Sequence, residues 1–259
     1  MKERIDLLLV ERRLTDSRTK AQWLIKNGYV LVNGIEIKKP GKKIDNSKEI
    51  VLIKEFPYIG KGGLKLEAAL KRFSISVEKK VCADIGASIG GFTDCLLKHG
   101  ASRVYAIDTA KDLLHPSLRC EKAKDKVVPM PGIDARDLKE LVEKVEICTV
   151  DVTFTSLRSI LPNIHNFLKK DGNIIALVKP LFETEFFNMK RFKVITDFKK
   201  LRQILTELIE WSIKNKIFPY GLIRSPLLGK GGSIEFFIHF KINKTSLNFD
   251  YKKVIRDDI

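Results

Sequence analysis

From residue 64 onward, short apolar runs of strand length alternate with longer segments that have helical spacing. The apolar runs predict seven strands, at 81–85, 103–107, 126–129, 146–150, 173–178, 218–223 and 233–240. A helix is expected between successive strands in every case except the last two strands. The predicted helices include 64–73, 92–99, 156–168 and 197–215. This alternation is typical of an α/β fold with a doubly wound parallel sheet. The last two strands, joined by a loop at 226–232, predict a closing antiparallel hairpin.

The first part of the chain has a different pattern, which predicts a small α+β domain. Residues 4–12 and 18–26 have helical spacing. Asp16 or Ser17 can cap the second helix, because a side-chain oxygen there accepts from free amides of the first turn. Gly28 can then end that helix in the left-handed conformation.

A hairpin and a linker complete this organisation. Asn33-Gly34, between two short alternating runs, is the strongest local signal for a tight hairpin. A basic loop is expected at 38–43 and a last strand at 49–53. Pro57 and the glycines that follow mark a linker over 57–63, so the predicted domains are 1–56 and 64–259.

Charge narrows the classes of partner. Among 259 residues, 48 are Lys or Arg and 32 are Asp or Glu, a net charge of +16 that favours a nucleic acid or an anionic membrane surface. No apolar run approaches the roughly 20 residues that span a bilayer. The charged start resembles no secretory signal, so a cytoplasmic protein is expected. The four widely spaced cysteines form no zinc-binding motif, which predicts no metal, and nothing demands more than a monomer.

A glycine-rich loop follows the first strand of the predicted sheet and opens a helix, which is where such folds bind ligands. Its spacing is Gly-x-x-x-Gly-Gly, from Gly86 to Gly91, and matches neither a dinucleotide motif nor a phosphate loop. Asp84, just before it, suits a ligand with an amino group and a sulfonium but no phosphates, namely S-adenosyl-L-methionine. Asp108 is placed for ribose hydroxyls and Asp134 for the adenine amino group. The predicted cofactor-binding residues are Asp84, Gly86, Ala87, Ser88, Gly90, Gly91, Phe92, Asp108, Asp134, Ala135 and Asp151.

The N-terminal segment RIDLLLVERRLTDSRTKAQWLIKNGYVLVNG resembles the alpha-L RNA-binding domain, which was first described in a ribosomal protein and is shared by several RNA-modifying enzymes. The resemblance covers nearly all of residues 3–54 and implies that the second helix and the loop around the hairpin face RNA. Contacts to phosphates of this kind fix the position of the protein along the RNA but do not read its base sequence. The residues predicted to bind RNA are Arg4, Arg13, Arg18, Lys20, Lys26, Lys38, Lys39 and Lys61.

Four further motifs extend the resemblance to residues 3–240. They are Gly62-Gly63-Leu-Lys65, Val150-Asp151-Val-Thr-Phe, Leu177-Val-Lys179-Pro180 and Gly232-Ser-Ile-Glu235. Together with the glycine loop they resemble the TlyA, or hemolysin A, family, which joins the RNA-binding domain to an FtsJ-like methyltransferase. This implies a Rossmann-like class I methyltransferase sheet. It also implies methyl transfer to ribose 2′-hydroxyls of rRNA, with cytidine as the acceptor and rRNA or ribosomal subunits as the partner.

The same resemblance implies a catalytic tetrad of Lys65, Asp151, Lys179 and Glu235. Asp151 and Lys179 come at the carboxyl ends of predicted parallel strands, where such folds do chemistry. Lys179 is expected to be the general base or orienter of the acceptor hydroxyl, with Lys65 as a second cation that favours its neutral amine. The two carboxylates are expected to hold the lysines and the acceptor ribose.

Some positions depart from the family pattern, and other functions remain open. Ile89, Asp134 and Leu181 replace residues that are usual there, and the stretch 182–197 lacks the glycines that often form a substrate-side loop.

A pseudouridine synthase can carry the same N-terminal domain but needs a mostly antiparallel fold. A membrane-active hemolysin would need a spanning or strongly amphipathic segment. A non-catalytic ribosome-assembly factor would bind the cofactor without turnover.

Overall fold

The computed structural model describes residues 1–184, 194–243 and 249–259. The chain divides into two compact units, Met1–Lys61 and Gly62–Ile259. In the stretch 182–197, which lacks the glycines that often form a substrate-side loop, residues 185–193 lie outside the described residues.

The first unit contains two helices and five short strands. They are β1 (Lys2–Arg4), α1 (Ile5–Glu11), α2 (Arg18–Lys26), β2 (Val30–Val32), β3 (Ile35–Glu36), β4 (Lys43–Asp45) and β5 (Ile50–Leu52). An antiparallel sheet has the order β3-β2-β5, and β1 pairs separately with β4. Sequence reasoning missed this second pairing and treated Lys43 as part of a loop, because three-residue strands are too short to show an alternating pattern.

Local signals account for the turns of this unit. Ser17, not Asp16, caps α2 by accepting from the amide of Lys20. Gly28 follows that helix with a φ of 77°. Asn33 and Gly34 have φ values of 47° and 77°, which is the pair of left-handed residues that a type I′ hairpin requires. The predicted hairpin is therefore confirmed.

Asp6 is a buried charged residue of this unit. Its side chain is fully buried and accepts hydrogen bonds from Arg4 Nε (2.9 Å), Arg18 Nε (2.9 Å) and Gln22 Nε2 (2.8 Å). The hydrogen bond from Arg4, aided by Gln22 and Arg18, holds the pKa of Asp6 well below its usual range against the opposing effect of burial. Asp6 thereby joins the start of α1 to the first turns of α2.

The second unit is built on one seven-stranded sheet. Its elements are α3 (Lys61–Phe73), β6 (Val81–Ile85), α4 (Gly91–Lys98), β7 (Arg103–Asp108), β8 (Val127–Pro131), β9 (Val145–Val150), α5 (Leu157–Ile160), β10 (Leu168–Val178), α6 (Phe198–Lys214), β11 (Phe218–Arg224), β12 (Phe236–Lys241) and α7 (Tyr251–Asp258). The strand order is β11-β12-β10-β9-β6-β7-β8. Adjacent strands from β10 to β8 are parallel, and β12 is antiparallel to both of its neighbours. The predicted parallel sheet with a closing antiparallel hairpin is confirmed, and a pseudouridine synthase fold is excluded.

Several predicted element bounds are wrong. The expected helix 156–168 is α-helical only over α5 and continues as a 3₁₀ helix at Leu161–Asn166, where Pro162 removes a donor. The strand after it begins at Leu168 rather than 173, with a register shift between Leu168 and Asn173. The last strand begins at Phe236 rather than 233, so Glu235 precedes it.

The expectation of a helix between every other strand pair is also wrong. Between β7 and β8 the chain forms only short 3₁₀ turns, and between β8 and β9 it forms no helix. Pro116 interrupts the first connection, where it removes a backbone donor. The second connection has apolar residues at helical spacing, Leu138, Leu141 and Val142, and nothing in the structure explains why it forms no helix.

Asp6→Ala should destabilise the first unit by about 1–3 kcal/mol, because it removes a buried acceptor shared by three donors. The native pKa of Asp6 lies below its unfolded value of about 3.9, so its contribution is present above that pH and is lost as the pH falls further. Amide hydrogen exchange of α1 and α2 in the full chain measures this loss.

The matched control is Asp16→Ala, which removes an exposed carboxylate paired with Lys20 and should cost at most about 0.5 kcal/mol. Equal effects of the two substitutions would contradict the role given to Asp6.

Candidate active site

The predicted chemistry-bearing residues meet at one edge of the large sheet. Ile85 pairs with Val150, so the residues that follow them, Gly86 and Asp151, are neighbours. On the other side of this edge, Val178 of β10 pairs with Phe236 of β12. The next outward position of that register sets Lys179 opposite Glu235. Because β12 is antiparallel, its start lies where the parallel strands end.

Side-chain contacts organise this edge into two ion pairs. Lys179 Nζ lies 2.6 Å from Asp151 Oδ1 and donates to Thr153 Oγ1 at 2.9 Å. Lys65 Nζ, from α3, lies 2.5 Å from Glu235 Oε2. The Lys65 and Glu235 side chains are only 5% and 4% exposed, whereas those of Lys179 and Asp151 are 18% and 24% exposed. One pair is therefore embedded and the other can be reached from solvent.

This arrangement refines the roles expected of the lysines. Lys65 contacts Glu235, and Lys179 contacts Asp151, so each cation is balanced by its own carboxylate. Removing one partner of the buried pair would leave an uncompensated buried charge, which is strongly unfavourable. The partly exposed pair instead holds the Lys179 amine between an ion-pair partner, Asp151, and one acceptor hydroxyl, Thr153, and this arrangement is suited to contact a substrate.

A cavity of about 550 Å³ opens beside the exposed pair. That volume is typical of sites that enclose small organic molecules. Six of the residues predicted for cofactor binding line it, together with apolar residues from neighbouring strands and loops. The lining residues that carry the argument are Gly86, Ser88, Asp108, Asp134, Ala135 and Asp151.

Two carboxylates on the cavity wall are held in fixed orientations. Asp108, at the end of β7, accepts from the backbone amides of Ser88 (2.7 Å) and Ala110 (2.8 Å). Asp134 is gripped by the guanidinium of Arg136, with Nε 3.0 Å from each carboxylate oxygen. The hydrogen bond from Arg136 lowers the pKa of Asp134. Both groups therefore present oriented acceptors to the cavity.

The glycine loop approaches the end of β9 very closely. Gly86 has a φ of 81°, and a Cβ atom there would lie 2.4 Å from the backbone oxygen of Asp151. Its amide donates to the backbone oxygen of Ile107 at 2.9 Å. Any side chain at this position would force β6 and β9 apart at the cavity, so the glycine is required by the fold of the site.

Other residues predicted to bind the cofactor lie away from this cavity. Asp84 is fully buried behind the loop and accepts from Thr93 Oγ1 (2.6 Å) and Thr149 Oγ1 (2.9 Å). Burial raises the pKa of Asp84 to about 6. Phe92 is also buried, stacked on Phe237 with ring centroids 6.1 Å apart. These two side chains support the loop from behind and do not line the cavity.

The remaining loop positions contribute backbone rather than side-chain groups. Ala87 donates its amide to Ile107 and lines a smaller cleft that shares Ser88 and Asp108 with the cavity. Gly90 precedes α4 with a φ of 95°, and Gly91 begins that helix. A direct ligand contact at either glycine stays a prediction.

The basic residues predicted to bind RNA fall into two groups. Several are already engaged: Arg4 and Arg18 with Asp6, Lys20 with Asp16, and Lys38 with Glu36. Lys61, at the start of α3, is half-buried. Three other members, Arg13, Lys26 and Lys39, are exposed.

Sequence reasoning missed three threonines that hold the site together. Thr153 accepts from Lys179, and Thr93 and Thr149 donate to Asp84. Thr153 lies two residues after a strand-end aspartate, and that position is the one signal that could have identified it. No signal in the sequence reveals which carboxylate the other two would face.

Among the described residues, no helix is long and apolar enough to cross a membrane. The same residues contain no cluster of three or more His, Cys, Asp or Glu side chains able to hold a metal ion.

The strand order, the inserted antiparallel β12 and the ligand cavity at the carboxyl edge define a Rossmann-like methyltransferase domain. Residues 58–242 match the FtsJ-like methyltransferase family, and residues 3–50 match the S4 domain. The chain belongs to the FtsJ-like methyltransferase family and carries an S4 domain at its N-terminal end.

Relatives extend over most of the chain. YqxC of Bacillus subtilis, provisionally named an rRNA methyltransferase, is 40% identical over 92% of this chain and 85% of its own. The 16S/23S rRNA (cytidine-2′-O)-methyltransferase TlyA of Mycobacterium tuberculosis is 31% identical over 91% of this chain and 88% of its own. A solved structure of a hemolysin-like protein from Streptococcus thermophilus is 33% identical, with a TM-score of 0.72, and the match covers 99% of this chain and 94% of that one.

Asp84→Asn should flatten the pH dependence of stability of the second unit. The native pKa of about 6 lies above the unfolded value of about 3.9, so the contribution of Asp84 is fully present below pH 4 and is lost as the pH rises through 6. This loss is on the order of 3 kcal/mol in the wild type and should be absent in the variant. Denaturant unfolding between pH 4 and 7 measures it.

Asp125→Asn, which changes an exposed carboxylate, is the matched control and should follow the wild-type curve. An unchanged pH dependence in Asp84→Asn would show that this carboxylate is not desolvated.

Proposed function

We propose that this chain is an S-adenosylmethionine-dependent methyltransferase that modifies ribose 2′-hydroxyls of cytidine in rRNA. The observation that carries the proposal is the pairing of Lys179 with Asp151 at the rim of a cavity lined by oriented carboxylates. Its relationship to an enzyme named as an rRNA (cytidine-2′-O)-methyltransferase supports the acceptor. The S4 domain, found in RNA-binding proteins, supports the RNA class of substrate.

The cavity fits S-adenosylmethionine in size and in chemistry. Asp108 retains free lone pairs beside its two backbone donors and can accept from ribose hydroxyls. Asp134 can accept from the adenine amino group, and the missing side chain of Gly86 lets the end of β9 come close enough to place Asp151 on the same wall. When bound, S-adenosylmethionine supplies a methyl carbon activated by a positively charged sulfur.

The tetrad serves the acceptor side of this reaction. Lys179, held by Asp151 and Thr153, directs its amine at the ribose hydroxyl and orients that oxygen as the nucleophile. Orientation of the nucleophile supplies much of the rate in an in-line displacement. Lys65 and Glu235 brace the adjoining strand end from within the protein.

We further propose that residues 1–56 dock on rRNA and that 57–63 link them to a catalytic domain at 64–259. Arg13, Lys26 and Lys39, which are exposed, are the first candidates for phosphate contacts. Arg4 and Arg18 have structural roles through Asp6, so their substitution should affect folding as well as RNA affinity.

A ribosome-assembly factor that binds the cofactor without turnover would differ in one measurable respect. Purified protein, incubated with ribosomal subunits and methyl-labelled S-adenosylmethionine, should transfer label to 2′-oxygens and block alkaline cleavage at the modified nucleotide. Label on a base, or no label in either subunit, would refute the proposed reaction. Mapping the nucleotide also identifies which rRNA is the substrate.

Lys179→Ala should lower the turnover number by at least roughly 100-fold, because it removes the group that orients the hydroxyl. Affinity for S-adenosylmethionine should change less than threefold, as judged by calorimetry. Lys139→Ala, a substitution of an exposed lysine, provides the control and should retain wild-type turnover. A fully active Lys179→Ala would make the assigned mechanism wrong.

Asp108→Ala should weaken S-adenosylmethionine binding by roughly tenfold or more, because it removes two oriented acceptors from the cavity wall. Asp84→Asn should leave the affinity within about threefold, since this carboxylate faces Thr93 and Thr149 instead. Isothermal titration of both variants compares the two positions. A large loss in Asp84→Asn alone would restore the direct ligand contact that its place in the sequence suggested.

A further inference from the structure

Glu183 is a buried acid that the proposed chemistry leaves unexplained. It ends the 3₁₀ turn Pro180–Glu183, which begins immediately after Lys179, and only 5% of its surface is exposed. Burial raises the pKa of this carboxyl. A buried acid is costly unless its oxygens are hydrogen-bonded, so its partners indicate what it holds.

The hydrogen-bond partners of its carboxylate lie where the chain enters α5. The Oε1 atom accepts from the amide of Leu157 at 2.8 Å, and Oε2 accepts from Ser156 Oγ at 2.6 Å. Arg158 donates to Oε2 and to the backbone oxygen of Glu183, both at 3.1 Å. Glu183 thus fixes the far end of the loop 151–156, which begins with Asp151.

The near end of the same loop is fixed by the sheet. The amide of Asp151 donates to the backbone oxygen of Ile85 at 2.9 Å. Between the two anchors lie Thr153, which accepts from Lys179, and Phe154, which has a φ of 64°. Left-handed backbone is unusual for an aromatic residue and persists only where the surroundings enforce it.

A second contact reinforces this enforcement. The ring of Phe154 packs against Phe182, the residue just before Glu183, with centroids 5.5 Å apart. The segment 179–183 therefore carries Lys179 at its start. At its end, Phe182 and Glu183 contact the loop that contains Asp151 and Thr153, the two partners of Lys179. The segment 179–183 and the loop 151–156 are thus joined at two points, by Lys179 with Thr153 and by Glu183 with Ser156.

We propose that Glu183 is a positioning residue that sets Thr153 and Asp151 against the amine of Lys179 by anchoring the loop 151–156. This inference rests on the proposed methyltransferase function for its catalytic consequence. It does not require Glu183 to touch substrate or cofactor.

Glu183→Ala should lower kcat by roughly 10- to 100-fold, the range expected when a reacting group is misplaced by about 1 Å. The dissociation constant of S-adenosylmethionine should change less than threefold. Glu183→Gln keeps one acceptor oxygen but turns an amide donor toward Arg158 or Ser156. Its kcat should therefore fall less than that of Glu183→Ala. Glu207→Ala, which removes an exposed acid paired with Gln203, is the control and should retain wild-type kcat.

A double-mutant cycle separates positioning from general destabilisation. Thr153→Val removes the hydroxyl that accepts from Lys179. If Glu183 acts through Thr153, the double variant should lose little more kcat than the worse single variant. Losses that multiply would show independent effects and overturn the proposal.

Amide hydrogen exchange of the full-length protein tests the anchor without relying on activity. In Glu183→Ala, the amides of Leu157 and Arg158, which donate to Glu183 Oε1 and Ser156 Oγ in the wild type, should lose protection at least tenfold while those of β6 and β9 keep theirs. Unchanged protection of these two amides overturns the proposal. Lost protection in a protein whose wild type transfers no methyl group would refute the proposed function and leave the anchor standing. Lost protection with wild-type kcat would refute the catalytic consequence alone.

Discussion

The antiparallel register of β12 against β10 is the constraint on which the candidate active site depends. It sets Glu235 opposite Lys179 and brings a carboxylate to Lys65, 170 positions earlier in the chain. A slip of one residue would turn Glu235 to the other face of the sheet. Lys65 would then be a buried cation without its partner, which the fold could not tolerate. The embedded pair thus helps to specify the strand pairing that positions the exposed pair.

Buried acids recur in this protein, and each holds together segments that the backbone alone would leave independent. Asp6 joins α1 to α2, Asp84 fastens the base of the glycine loop to β9 through Thr149, and Glu183 anchors the loop after Asp151. Because an unsatisfied buried carboxylate is so unfavourable, each acts as a positional requirement on its donors. Asp108, which lines the cavity, is held in turn by backbone amides, and Lys179, which contacts the cavity residues Asp151 and Thr153, is held by short side chains.

The positive charge of the chain has more than one use. Some cations stabilise the fold by serving buried acids, as Arg4 and Arg18 do, and others are exposed and available to a polyanion, as Arg13 and Lys26 are. Lys65 and Lys179 belong to the candidate active site. The net charge of +16 therefore does not give the number of cations available to RNA. It did indicate a nucleic acid as the class of partner, in agreement with the S4 domain.

The sequence by itself determined most of the elements and the residues proposed for the candidate site, because strand alternation, the Asn33-Gly34 turn and the glycine loop depend on neighbouring residues alone. It could not determine the bounds near Pro162, the pairing of β1 with β4, or which carboxylate each lysine would meet. Only the tertiary structure decided that Asp84 turns inward, that Thr153 holds Lys179 and that Glu183 anchors the loop beside them. These contacts join residues 9 to 170 positions apart. Their geometry follows from strand register and packing, which no local pattern encodes.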